Sequence, residues 1–307
     1  MTSSSYSQTK QCLRANVRNI MSKFCYLCQS TDFPIRKGSV RDNDQLQILE
    51  CQNCGLVQLS SQDHLLQGHY ENSGMHGSDP EPLEVWERNT AEDDDRRFEM
   101  LKTLLPNQRV LDFGCGNGGF LKKAQELASG VTGIEPERRV REHLRDKLQI
   151  LPDLSDLLGV GEEYDLITAF HVVEHLPDPR STLKDFKNLL SPNGRIVLEV
   201  PSSSDALLAL YECEEFQNFT YWSQHLYLFN ATTLEILAKQ AKLKIFSIQQ
   251  MQRYPLSNYL YWLRYGKPGG HKLWRFLDSP GLQVAYANAL ASIGQCDTLI
   301  AHLGIGE

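Results

Sequence analysis

Val110-Leu111-Asp112-Phe113-Gly114-Cys115-Gly116-Asn117-Gly118-Gly119-Phe120 reads as a buried strand that runs through a glycine loop into a helix. The helix is expected over 120–127, and a second strand, Val131-Thr132-Gly133-Ile134, ends at Glu135. This strand–helix–strand unit predicts an α/β sheet with helices on both faces. Glycines let the backbone pass close beneath a ligand, and the helix N-terminus points free N–H groups at it. Gly114, Gly116 and Gly119 also satisfy G-x-G-x-x-G, so a dinucleotide has to be weighed. Asp112 argues against one. A carboxylate two residues before the first glycine repels a pyrophosphate and attracts a cation.

The order continues downstream. A short third strand over 148–151 precedes Asp153-Leu154, and Tyr164 to Phe170 forms a fourth strand. A helix over 181–190, a turn at Ser191-Pro192-Asn193-Gly194 and a strand over 195–201 follow. Lys244 to Met251 is expected as strand six, and residues 295–301 as strand seven, antiparallel to it. On these residues, Leu111–Phe120 resembles the first motif of class I S-adenosylmethionine (SAM)-dependent methyltransferases. His171-Val172-Val173-Glu174-His175-Leu176-Pro177-Asp178-Pro179 resembles the motif that follows strand four in their ubiquinone-methyltransferase-like branch. The resemblance implies a Rossmann-like seven-stranded sheet with SAM as cofactor. By it, Asp112, Gly114, Gly116 and Gly118 line the methionine side, Glu135 holds the ribose, and Asp153-Leu154 meets the adenine. Cys115, Pro136, Phe170 and His171 complete the expected cofactor set.

Four of the eight cysteines form two pairs, Cys25-Tyr26-Leu27-Cys28 and Cys51-Gln52-Asn53-Cys54, separated by 22 residues. Each C-x2-C turn can present two thiolates to one metal, and four soft ligands suit tetrahedral zinc. Four protein sulfurs leave no open position, so this zinc is expected to be structural. A redox C-x-x-C would need only one pair. The domain division expected is a disordered leader over 1–22, a zinc ribbon over 23–62 and the methyltransferase domain over 63–307. The run Glu92-Asp93-Asp94-Asp95-Arg96-Arg97 reads as a solvated helix face, and His69-Tyr70-Glu71 as a surface turn.

On the acceptor side lies Tyr221-Trp222-Ser223-Gln224-His225, before a helix capped by Asn230. His225, His175 and Tyr221 are the candidate catalytic residues, each able to take a proton from an acceptor. Residues 253–294 read as a helical, aromatic insertion between strands six and seven, with packing favoured over a lid or dimer face. The ribbon, the loop at Asp112 and His225 together resemble sugar C-methyltransferases of deoxysugar pathways. That branch usually carries an acid where Gln224 stands here. The resemblance implies methyl transfer to a small-molecule acceptor, a sugar or sugar-nucleotide, at carbon or oxygen. The alternatives are an RNA methyltransferase using the ribbon as a clamp, or a SAM-binding module without chemistry.

Composition narrows these. Net charge is −7, and residues 23–60 carry four basic and four acidic side chains, so no phosphate-binding face is expected. Nucleic acid is not the expected partner; a dimer is left open. No apolar run approaches the roughly 20 residues that span a bilayer, and a cytoplasmic location is expected.

Overall fold

The computed structural model describes residues 24–66, 68–72 and 80–306. The expected leader over 1–22 lies outside the described residues.

Two short strands, β1 (Ile48–Glu50) and β2 (Val57–Leu59), follow the first cysteine pair and flank the second. A long helix, α1 (Leu83–Leu101), leads into the main sheet. There β3 (Arg109–Phe113), α2 (Gly119–Ala124), β4 (Gly130–Ile134), α3 (Arg138–Leu144) and β5 (Gln149–Leu151) alternate. The chain continues through β6 (Tyr164–Phe170), α4 (Pro179–Leu189) and β7 (Leu190–Pro201). Pro179 opens α4 with its φ already helical, and the Asp178 carboxylate accepts from the Ser181 N–H, which fixes that helix start.

Beyond β7 come α5 (Ala206–Ala209), α6 (Glu214–Thr220), β8 (Tyr227–Leu228), α7 (Ala231–Gln240) and β9 (Lys244–Met251). Asn230 caps α7 as expected, its side chain accepting from Thr233 N–H. Helices α8 (Leu256–Tyr265), α9 (Gly270–Leu273) and α10 (Pro280–Ser292) fill the interval before β10 (Thr298–Gly304).

The seven-stranded sheet has the order β5-β4-β3-β6-β7-β10-β9. β3 to β7 run parallel, while β10 is inserted antiparallel between β7 and β9. The order reverses between β3 and β6, so a crevice opens at the carboxyl ends of those strands. Phe113, Ile134 and Phe170 end the three strands that meet there. Buried Val110, Leu111, Leu166 and Ile167 form the floor of the sheet on both faces. Among the described residues, no helix is long and apolar enough to cross a membrane.

A second, three-stranded sheet has the order β1-β2-β8. Its third strand comes from the far side of β7, with Val57 opposite Leu228 and Gln58 opposite Tyr227. The cysteine-bearing segment and the main sheet also share one hydrophobic core, which holds Leu56 and Val57 together with Leu226 and Phe229.

Candidate functional site

A cavity of about 450 Å³ occupies the crevice. The glycine loop forms its base. Gly114 and Gly116 have φ of +72° and +52°, a conformation that costs a side-chain-bearing residue. A Cβ on Gly114 would come within 2.4 Å of Val172, so the loop and the turn after β6 meet with no room for a side chain. Gly114, Cys115, Gly116, Glu135, Pro136 and Phe170 lie on the wall where expected.

Other expected cofactor residues lie elsewhere. Asp112 is buried beneath the loop rather than on the wall; its carboxylate accepts from the Thr168 hydroxyl at 2.7 Å. Burial pushes its pKa up to about 7, against the pull of Thr168 and Arg97. Gly118, at φ +72°, starts α2 facing Leu144 and Leu148, away from the cavity. Asp153 caps a short 3-10 turn by accepting from Ser155 N–H, and Leu154 is core. Neither lines the cavity. Glu135 spends both carboxylate oxygens on backbone N–H groups, those of Gly116 (3.0 Å) and Glu137 (2.8 Å). Burial raises it to about 7 in spite of these bonds.

Helix α1 supplies a wall that the sequence did not reveal. Trp86, Thr90, Asp93, Asp94 and Arg97 all line the cavity. The charge run is split: Glu92 and Asp95 are exposed as expected, while Asp93, Asp94 and Arg97 are built into the site. Arg96 and Arg97 donate to Glu199, at 2.8 and 2.9 Å, and Glu199 is fully buried on β7. Burial alone would raise Glu199, but His171, Arg97 and Arg96 hold it well below the usual carboxylate range. Asp93 pairs with Arg253, the second residue after β9. The i, i+3 spacing of these acids with the arginines fits a solvated helix equally well, so the pattern alone does not turn them inward.

The opposite wall carries the histidines. His171 has φ +54°, a strained value for this residue type, and is fixed by three contacts. Its Nε2 lies 3.0 Å from Glu199 and 2.9 Å from Arg253, and its Nδ1 lies 3.3 Å from Glu174. Burial and Arg253 push its pKa down, but Glu174 and Glu199 carry it upward. His175 Nδ1 lies 2.8 Å from the Gln224 carbonyl; that nitrogen must be the N–H donor, so Nε2 is left as the acceptor. His225 stacks near His175, ring centroids 4.9 Å apart, and its buried Nδ1 has no partner. Burial, then His175, drives His225 down to about 3. Glu174, fully buried between these rings, has one oxygen without a partner.

Tyr221 is absent from this group. It is buried beside Gly38 in the cysteine-bearing segment and does not line the cavity, which removes it as a catalytic candidate. A different tyrosine, Tyr70, lies on the cavity wall. Its segment is a turn with Glu71 exposed, as expected, but Tyr70 reaches inward from it and donates to the His175 carbonyl at 3.0 Å. His69 beside it lies 2.7 Å from the Gln224 side chain.

Cys25, Cys28, Cys51 and Cys54 converge, with Sγ atoms within 4.8 Å of one another. The closest separations are 3.5 Å for Cys25–Cys54 and 3.4 Å for Cys28–Cys51. Zinc–sulfur bonds of ~2.3 Å in a tetrahedron separate sulfurs by a little under 4 Å, so the donor set fits that ion. Gly55, at φ +78°, gives the second knuckle its turn.

A family model described as a methyltransferase domain matches residues 85–248. The chain belongs to this methyltransferase family. Curated relatives of the methyltransferase include the ubiquinone biosynthesis O-methyltransferase of Hydrogenovibrio crunogenus. It is 28% identical over 163 residues, covering 48% of this chain and 67% of that protein. The enzyme of the same name from Pasteurella multocida is 33% identical over 110 residues, covering 30% and 46%. These matches span about half to two thirds of the relatives' length. A solved SAM-dependent methyltransferase from Archaeoglobus fulgidus is similar with a TM-score of 0.48 and 17% identity, over 73% of this chain and 99% of that one. The methyltransferase's parallel sheet with a β7-β10-β9 antiparallel end is the expected fold, now seen strand by strand.

Proposed function

We propose that this chain transfers the methyl group of SAM to a hydroxyl oxygen of a small-molecule acceptor, with His225 taking the hydroxyl's proton. The observation that carries this reading is one cavity bounded by the glycine loop on one side and by His175 and His225 on the other. SAM, when bound, supplies a methyl group on a sulfonium that leaves as a neutral thioether. The cavity suits such a ligand. Asp93, Asp94 and Glu135 line it for the cationic end, and Arg97, whose buried Nε has no partner, is placed for a carboxylate. A diphosphate would face Asp93, Asp94 and Glu135, while the lining cations Arg97 and Arg253 are already paired with Asp94 and Asp93.

Acceleration here comes chiefly from alignment of acceptor oxygen and methyl carbon, with water excluded by Tyr70, Trp86 and Leu176. As the oxygen attacks, its proton passes to His225, which is neutral at pH 7 because burial and His175 depress it. The Glu174 carboxylate beside it favours the imidazolium that results. Oxygen is preferred over carbon as the methylated atom. The relatives are named as O-methyltransferases, and Gln224 stands where the sugar C-methyltransferase branch has its acid. We also assign a structural zinc to Cys25, Cys28, Cys51 and Cys54.

His225→Ala tests the proposal. Turnover with a phenolic or sugar hydroxyl acceptor should fall by ~10²-fold or more while SAM affinity, read by calorimetry, stays within ~2-fold. Unchanged turnover with intact SAM binding removes His225 from the reaction.

A further inference from the structure

The segment between β9 and β10 has a charge pattern unlike the rest of the chain. Residues 256–277 carry Arg264, Lys267, Lys272 and Arg275 and no Asp or Glu, in a chain of net charge −7. Residues 279–296 carry no charged side chain at all. The packing expected of this aromatic segment is half present. Tyr259 and Trp262 of α8 are buried against the protein, and Trp274 packs edge-on against Tyr261, with ring centroids 5.2 Å apart. This ties α8 to α9 and the 3-10 turn Arg275–Leu277 as one hairpin. Gly270 permits it, since a Cβ there would meet Tyr261 at 2.4 Å.

The outer side of the hairpin is apolar and open. Phe276 is 78% exposed and Leu273 64%, with Leu263 and Leu277 also exposed. Helix α10 buries only Leu290 of its 13 residues and leaves Val284 in solvent. Among the described residues, none of the four cations on the hairpin pairs with an acid; Arg264 lies over the Tyr265 ring. The acids that touch the hairpin, Asp278 on Ser257 and Glu215 beside Gly266, sit at the two ends of α8. Exposed apolar side chains and unpaired cations on one short hairpin, with amphipathic aromatics between them, match the chemistry of an anionic bilayer surface. A second copy of this chain matches it poorly. A two-fold interface sets the same patch on both partners and would bring these cations face to face.

We propose that α8, α9 and the turn Arg275–Leu277 seat the protein on anionic lipid membranes, with Leu273 and Phe276 entering the headgroup boundary. This inference goes beyond methyl transfer and does not depend on it. The hairpin starts three residues after Arg253, which lines the cavity, so a seated protein would hold its cavity close to the lipid surface.

The test floats the full chain with vesicles of phosphatidylcholine alone, or with phosphatidylglycerol added. Binding is expected only with the anionic vesicles, weakening as salt rises. The double variant Leu273→Glu, Phe276→Glu should lose at least ~10-fold in partitioning. Lys272→Glu with Arg275→Glu should lose a similar factor, both variants keeping their SAM affinity and helical circular dichroism. The proposal is overturned if the chain stays in the aqueous layer with both vesicle types. Equal partitioning by the variants overturns it as well. So does a wild-type dimer in sedimentation that Phe276→Glu converts to monomer without any vesicle binding.

Discussion

Asp112 shows how a residue can be legible in kind and misplaced in detail. Its sequence position predicts a carboxylate beside the loop, and it is there, yet under the backbone and bonded to Thr168. Its raised pKa has a definite sign for stability. A carboxyl at about 7 in the fold and near 4 when unfolded binds its proton more tightly in the fold. That contribution is present at low pH and is lost as pH rises from about 4 through about 7. Asp112→Asn keeps an oxygen for the Thr168 hydroxyl and removes the buried charge. The variant should be more stable at pH 8 by ~2 kcal/mol, with no gain at pH 4, as read by urea melts at both pH values. Its SAM affinity should fall, because the field of a nearby anion is gone. Tyr221 and Tyr70 were not separable from sequence in the same way. Which of two tyrosines 151 positions apart reaches a cavity depends on long-range packing that no local pattern encodes.

Among elements, the glycine loop and the turn after β6 behave as a matched pair. Both were legible, because glycines at fixed spacing and a strand ending at Phe170 before His171 are local signals. Their contact through Gly114 and Val172 was not. Gly114→Ala should cost ~1–2 kcal/mol from its positive φ alone, plus the collision with Val172. Adding Val172→Ala should recover the collision part and leave the φ part, so thermal melts of the single and double variants separate the two. Helix α1 is the element the sequence hid most. Its acids followed by arginines satisfy a solvated face, and the buried Glu199 on β7 together with Arg253 turns part of them inward. Strand β8 was equally silent, since two residues are too few to show a period.

At the scale of the molecule, the cysteine cluster and the histidine wall are connected. Leu226 donates to the Glu174 carbonyl at 2.8 Å and accepts from Leu59 at 3.0 Å, so the neighbour of His225 is held between β2 and the turn after β6. Stripping zinc with a chelator should therefore lower the melting temperature and depress kcat while leaving SAM affinity nearly unchanged, since the glycine loop belongs to the other sheet. A metal assay, a thermal melt and calorimetry on the same sample check this. The expected division at residue 62 takes on a practical meaning here. A fragment begun at that point would strip the neighbour from Tyr227-Leu228 and bare an unpaired, apolar strand edge to water. Such a fragment is a candidate for clumping during expression rather than a minimal enzyme.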